Sequence, residues 1–168
     1  MAVTAVFVLR DRPEDGGTET TGSLPGRGVI FQARRLGITG VRPPTWRVKR
    51  SRRAIRLTSP DRAGLVAISA TPFSVGTRAL MSSTLAAVRR SYRGVRLTRV
   101  QRTRLGGLAG STSGGTATNS RRIRLDLVVA AAKGKRRSYL LQVFVARQAS
   151  GRRLAEAQTI VNSLELSG

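Results

Sequence analysis

Cysteine and histidine do not occur among the 168 residues of this chain. Without cysteine there is no disulfide framework, no thiolate metal site and no thiol nucleophile. Without histidine the chain lacks the commonest general base and the commonest metal ligand, and a triad built on imidazole is excluded. We therefore expect a protein that is not an enzyme and that holds neither a metal nor a cofactor.

Acidic residues are also scarce, with 8 of them against 31 lysines and arginines and a net charge of +23. Half of these acids lie in residues 1–30. The remaining four are Asp61, Asp126, Glu156 and Glu165. Their spacing places no two of them together for acid–base or metal chemistry. Because Asp126 alternates with Arg124 along a predicted strand, we expect it to pair across strands with an arginine.

The basic excess indicates a polyanion as partner: an acidic lipid surface, an anionic wall polymer or nucleic acid. Nucleic acid fits less well, since few aromatic residues are available as stacking platforms. The alternative explanation for the basic excess is a compositional bias without a binding role, because all but three of the basic residues are arginine. The predicted contact residues are Arg50, Arg52, Arg53, Arg122, Arg124, Lys133, Lys135, Arg136 and Arg137. A stripe of Arg56, Arg96, Arg122 and Arg124 would form if their strands were neighbours.

The first 30 residues differ from the rest. Residues 2–9 are apolar but far fewer than the ~20 needed to cross a bilayer. They are either a short strand or frayed end, or the last part of a membrane helix whose beginning is missing because the start site was placed too late. Residues 10–28 are acidic and rich in Gly, Thr and Pro, which is typical of a flexible tether. We predict an anchored, extracytoplasmic protein; with the start site correct as given, the prediction becomes a cytoplasmic one.

Two long alternating segments in residues 121–146 dominate the remainder of the chain. Ile123, Leu125, Leu127 and Val129 fall on alternate positions, with Arg122, Arg124 and Asp126 among them, and residues 139–145 are apolar on both faces. A segment apolar on both faces lies inside a covered sheet. Gly134 lies in the polar break between the two segments, as a hairpin requires. We predict two central antiparallel strands.

The other periodicities complete an α+β domain at residues 31–168. Strands are predicted at 37–41, 46–48, 55–57, 65–71 and 95–105, and residues 106–118 form either a loop or a bulged strand. Helices are predicted at 77–92, with Gly94 as its C-terminal cap, and at 151–164. Trp46 is expected to pack in the core or at its rim rather than to stack on a ligand. The fold expected is an antiparallel sheet of about six to seven strands with helices on its faces.

The order of these elements resembles a known family. Residues 37–46 end in Pro43-Pro44-Thr45-Trp46 and precede strands at 55–61 and 66–69, which resembles the opening of PsbP-like domains. Residues 108–111, 139–145 and 157–164 resemble the small-residue strand, the last strand and the closing helix of that family.

The resemblance implies an α/β/α sandwich and a non-enzymatic accessory or binding module. The family includes an extrinsic photosystem II protein, a Ran-binding nuclear protein and bacterial LpqN-type lipoproteins, which share a scaffold rather than one activity. The chain departs from the photosynthetic member in lacking the histidines that the latter uses at metal sites, and no partner-binding motif maps onto it.

Overall fold

The computed structural model describes residues 28–149 and 151–167. Within these ranges the chain forms eleven strands, two α-helices and one 3-10 turn at Arg34–Leu36. The elements are β1 (Val29–Ala33), β2 (Ile38–Arg42), β3 (Arg47–Arg50), β4 (Ala54–Thr58), β5 (Gly64–Ala70), α1 (Thr77–Ser91), β6 (Arg93–Leu97), β7 (Gln101–Leu105), β8 (Leu108–Thr118), β9 (Arg124–Lys133), β10 (Ser138–Ala146), α2 (Gly151–Asn162) and β11 (Glu165–Leu166). The predicted apolar end and most of the tether fall in residues 1–27, outside the described part.

The main sheet has eight antiparallel strands within the described residues, in the order β3-β4-β5-β10-β9-β8, with β6 and β7 both pairing with β8. The predicted central hairpin is confirmed: β9 and β10 pair from Ser138↔Lys133 to Ala146↔Leu125 and lie in the middle of the sheet. The α+β class is confirmed as well, with one strand more in this sheet than the upper expectation.

A helix covers part of each face of the main sheet. On one face Leu127, Val129 and Ala131 of β9 pack in a cluster with Met81 and Val88 of α1. On the other face a second cluster joins β10 to α2, including Leu141, Val143, Ala157, Ile160 and Val161. Each of the larger side chains contributes about 1.5–3 kcal/mol on full burial. Because successive side chains of β9 and β10 point to opposite faces of the sheet, one group of apolar side chains packs under each helix.

A small sheet, which the sequence did not predict, flanks the α2 side of the molecule. It consists of β1, β2 and β11 in the order β1-β2-β11. The hydroxyl of Tyr139 on β10 lies 3.1 Å from the carbonyl oxygen of Leu36 and 2.7 Å from that of Ser167. The Ser163 hydroxyl after α2 accepts from the Val41 amide at 2.8 Å. These contacts tie the small sheet to the main sheet and to α2.

Two predictions around α1 and β6 were wrong. Residues 95–105 are not one strand, because Thr98, Arg99 and Val100 separate β6 from β7. Gly94 is not the cap of α1: the helix ends at Ser91, and the amide of Tyr92 donates to the Val88 carbonyl. Gly94 has φ +58° and lies in β6, where the register with β8 shifts. A positive φ favours glycine in a bulge as much as in a cap.

The glycine-rich segment before the central hairpin is a strand. Of the two alternatives left open for residues 106–118, the structure shows the strand, β8. A Cβ on Gly110 would overlap the carbonyl oxygen of Ala131 on β9, and one on Gly115 would overlap that of Arg96 on β6. Small residues therefore allow close approach of β8 to both of its neighbours. Neither α-helix of the described residues is long and apolar enough to span a membrane.

Candidate functional site

The two basic hairpin turns lie at the same end of the main sheet. The Arg53 carbonyl, in the β3–β4 turn, accepts from the Ala70 amide at the end of β5 at 2.9 Å. The next amide, that of Thr71, donates to the Ser138 carbonyl at the start of β10 at 2.9 Å. Because only β5 separates β4 from β10, the turns at 51–53 and 134–137 are two strand spacings apart, about 10 Å. The fold therefore brings together two turns that lie more than 80 residues apart in the sequence.

A third segment brings two more arginines to this end. The Nε of Arg50 donates to the Gln32 carbonyl at 3.1 Å, and a terminal nitrogen of Arg137 donates to the Arg35 carbonyl at 2.7 Å. The 3-10 turn therefore lies beside both hairpin turns. We call the resulting group of nine residues the cationic end: Arg34, Arg35, Arg50, Arg52, Arg53, Lys133, Lys135, Arg136 and Arg137.

The cationic end has an unbalanced charge. Eight of its nine residues are exposed and Arg137 is half-buried. Within residues 28–149 and 151–167, none of the nine forms an ion pair with a carboxylate. Like charges at such spacing repel and raise the local positive potential, which attracts anions.

An exposed aromatic side chain lies on the connection beside the β9–β10 turn. Phe73, between β5 and α1, is 64% exposed. Two hydrogen bonds from neighbouring residues hold the β5–α1 connection against the β9–β10 turn. The Ser74 hydroxyl donates to the Gly134 carbonyl at 3.1 Å, and the Val75 amide donates to the Ser138 hydroxyl at 2.8 Å. Thr71 also bonds the Phe73 carbonyl through its hydroxyl. The cationic end therefore has one apolar residue on a hydrogen-bonded loop.

The remaining predicted contact residues lie elsewhere. Arg124 pairs with Thr118 at the start of β9, and Arg122 precedes it in the β8–β9 turn. The ten residues of β9 put this turn about 30 Å from the cationic end. The stripe of arginines that would require neighbouring strands does not form. Four strands, β5, β10, β9 and β8, separate Arg56 on β4 from Arg96 on β6.

The opposite end of the sheet contains a network of paired charges. The Trp46 indole donates to Glu156 at 2.9 Å, Arg153 bonds Glu156 at 2.6 Å, and Arg153 also bonds Asp61 at 2.7 Å. Arg152 contacts Glu156 as well, and the Ser59 hydroxyl donates to Asp61. We call Trp46, Ser59, Asp61, Arg152, Arg153 and Glu156 the carboxylate network. Trp46 is 1% exposed, which confirms its predicted place in the core.

These pairings set the ionisation of both carboxylates. Hydrogen bonds from the Ser59 hydroxyl and from Arg153 lower the pKa of Asp61 to about 2. Burial pushes the pKa of Glu156 upward, but hydrogen bonds from Trp46, Arg153 and Arg152 outweigh burial, so the pKa is lowered. Asp126 pairs at 2.9 Å with Arg147, which directly follows β10, so the predicted pairing with an arginine across the strands is confirmed.

A cavity of about 550 Å³ on the uncovered face of β3 and β4 was not predicted as a site. Arg47, Lys49, Arg56 and Arg62 line it, and Lys49 lies directly opposite Arg56 in the strand pair. Like charges in that position are destabilising. The signal was present in the sequence: Arg47 and Lys49 alternate with Val48, and Arg56 lies between Ile55 and Leu57.

Similarity to known proteins is limited to structure. No family model matches the chain, and no curated protein matches it. The solution structure of cyanobacterial PsbP (CyanoP) from Synechocystis sp. PCC 6803 matches with a TM-score of 0.63 at 9% identity, over 89% of this chain and 98% of that one.

Two further solved structures are similar. The crystal structure of LpqN of Mycobacterium tuberculosis, described as involved in cell envelope biogenesis, has a TM-score of 0.57 at 12% identity, over 84% of this chain and 91% of that one. A protein of Bacteroides thetaiotaomicron VPI-5482 has a TM-score of 0.58 at 14% identity over 84% of this chain, which spans 49% of its length. The expectation drawn from the sequence motifs is confirmed: the chain has a PsbP-like fold.

Proposed function

We propose that this chain is a non-enzymatic accessory or binding domain, tethered to a membrane on its extracytoplasmic side, which holds an anionic partner through the cationic end. The observation that supports the proposal is the convergence of two basic turns and the 3-10 turn on one end of the sheet. Arg50 and Arg137 bond backbone carbonyls, Arg34 bonds the Gln32 side chain, and none of the nine basic residues has a carboxylate partner among the described residues.

The state of the acidic residues argues for binding rather than catalysis. A general acid or base that acts near neutral pH needs a pKa close to that pH. The pKa of Asp61 is about 2, that of Glu156 is lowered, and arginines hold both groups in place. Asp126 is likewise paired, with Arg147. Asp61 and Glu156 therefore stabilise the fold and are poorly suited to proton transfer.

The test must separate the effect of the overall charge on anion binding from the effect of the cationic end. We compare a turn variant, Arg52→Ser/Arg53→Ser/Arg136→Ser, with a control variant, Arg93→Ser/Arg99→Ser/Arg121→Ser. Both lose three exposed arginines, and the three control positions lie away from the cationic end. On immobilised heparin we expect the turn variant to elute at clearly lower salt than the wild type and the control variant to elute near it. Equal losses in both variants would show a non-specific charge effect and contradict the proposal.

The tether is supported by two observations, the apolar and acidic composition of residues 1–30 and the fold shared with LpqN, which is described as involved in cell envelope biogenesis. The test is expression from the natural locus with its upstream sequence intact. We expect the protein in the membrane fraction and accessible to protease added outside the cytoplasmic membrane. Recovery in the soluble cytoplasmic fraction would contradict this part of the proposal.

A soluble nucleic-acid-binding protein is the second candidate, and the cationic cavity on β3 and β4 is the observation that favours it. Four basic residues line a concave face that has room for a phosphodiester backbone. If this candidate is correct, Lys49→Ser/Arg56→Ser weakens binding of a single-stranded oligonucleotide, measured by fluorescence anisotropy, more than the turn variant does. The leading proposal predicts the reverse order.

A further inference from the structure

We infer that the cationic end, together with Phe73, is a docking surface for an anionic lipid bilayer. The inference rests on the proposed function and names the class of its partner. Basic residues close to an anionic leaflet are attracted to it, and an exposed apolar side chain such as that of phenylalanine inserts at the boundary between head groups and acyl chains.

The shape of the cationic end suits a flat partner. Four of its exposed residues, Arg52, Arg53, Lys135 and Arg136, lie on the tips of two hairpins at the same end of one sheet. Because the tips protrude side by side, a plane contacts both of them at once. A linear polyanion is held better in a groove that follows its backbone.

The shape of the turns is fixed by bonds within the chain. In the β3–β4 turn the Ser51 hydroxyl accepts from the Arg53 and Ala54 amides at 3.4 and 3.1 Å. In the β9–β10 turn the Gly134 amide donates to the Arg137 carbonyl at 2.9 Å. The two sets of cations are therefore presented by formed turns, so that little backbone ordering opposes docking.

Phe73 adds an apolar contact to this charge. It is the aromatic residue among the exposed large apolar side chains of the described residues, the others being Val29, Ile30 and Val100. A single aromatic residue gives poor stacking for the successive bases of a nucleic acid, which uses several platforms. An apolar residue beside a group of cations is, however, a combination that suits the surface of an anionic bilayer.

The test uses the full chain and co-sedimentation with two kinds of vesicle, phosphatidylcholine alone and phosphatidylcholine mixed with phosphatidylglycerol. We expect binding to the anionic vesicles alone. The turn variant should bind these about a hundredfold more weakly, because each of its three lost cations contributes about fivefold, and the control variant should bind like the wild type. Equal binding to both vesicle types would instead indicate an apolar anchor and overturn the inference.

Phe73 provides a second, independent test. Phe73→Ser should weaken binding to the anionic vesicles about tenfold and leave heparin binding unchanged. Because Trp46 is the single tryptophan of the chain and is buried, Phe73→Trp adds a tryptophan whose emission should shift to shorter wavelength on anionic vesicles. No shift, together with wild-type binding of Phe73→Ser, would overturn the role of Phe73 and with it the inference.

The outcomes separate the inference from the proposed function. Loss of heparin binding in the turn variant without any vesicle binding by the wild type would sink the inference and leave the proposed function standing. Absence of both heparin and vesicle binding would remove both. Tighter binding of a single-stranded oligonucleotide than of anionic vesicles, through the same residues, would replace the lipid surface by a nucleic acid.

Discussion

The two ends of the main sheet use arginine in different ways. In the carboxylate network Arg153 bonds both Asp61 and Glu156, and its side chain is 15% exposed. At the cationic end Arg50 and Arg137 bond backbone carbonyls, and Arg52 and Arg136 are exposed without a carboxylate partner in the described ranges. Arginine can do either, because its five donors satisfy carboxylates and carbonyls alike. The basic residues behind the net charge of +23 therefore fall into two groups: those that stabilise the fold and those that are available for binding.

Breaking the carboxylate network should have the largest effect on stability. Glu156→Ala removes the acceptor of the Trp46 indole and leaves Arg153 partly buried with one carboxylate fewer. We expect a loss of about 3 kcal/mol in the free energy of unfolding, measured by urea denaturation. Glu165→Gln, at an exposed position of β11, is the matched control and should change the free energy by less than about 0.5 kcal/mol. Similar values for the two variants would show that the network does not stabilise the fold.

The pH dependence of stability should come from the same network. The folded-state pKa of Asp61 is about 2, below its ordinary value of 3.8, so its contribution is present above pH 3.8 and is lost as the pH falls towards 2. Because the Asp61 side chain is 46% exposed, this contribution should stay below about 1 kcal/mol. Asp61→Asn should therefore be slightly less stable than the wild type at neutral pH, and the difference should disappear near pH 2. A difference that is constant over this range would contradict the assigned pairing.

Removing charge at the cationic end should have the smallest effect on stability. The turn variant loses no ion pair among the described residues, so we expect a change within about 0.5 kcal/mol at moderate salt. At low salt the variant should be the more stable protein, because repulsion among the remaining cations is weaker and less screened. Thermal unfolding at two ionic strengths measures this, and a marked loss of stability at either one would place these arginines in the fold rather than on a binding surface.

The parts of the fold that the sequence predicted are those with strong local periodicity. The alternation in residues 121–146 specified β9, β10 and the turn at Gly134, and the periodicities at 77–92 and 151–164 specified α1 and α2. The small sheet was missed because β11 is two residues long and is defined only by its pairing with β2. Gly94 was misassigned because a glycine after a helix fits a cap and a bulge equally well.

The sequence predicted most residues of the candidate site, but it did not predict that the two turns lie side by side. The strands predicted at 46–48 and 55–57 flank one basic run, and the predicted break at Gly134 contains the other. The proximity of the two basic runs depends on β5 lying between β4 and β10, a pairing between residues more than 60 positions apart that one sequence does not reveal. Arg122 and Arg124 are separated from the other candidates by the length of β9, since they lie at its start and Lys133 lies at its end. The assignment of residues 1–30 to an apolar end and tether and of residues 31–168 to one domain stays a prediction.

The most direct test of the account asks whether the two turns form one binding surface. Arg52→Ser/Arg53→Ser neutralises one turn and Lys135→Ser/Arg136→Ser the other, and the logarithm of heparin affinity is measured against the logarithm of salt concentration for each and for the quadruple variant. We expect each double variant to reduce the steepness of the salt dependence by roughly 1 to 2, and the quadruple variant to show the two reductions combined. An unchanged slope in either double variant would contradict the account, because one turn would then take no part in holding the anion.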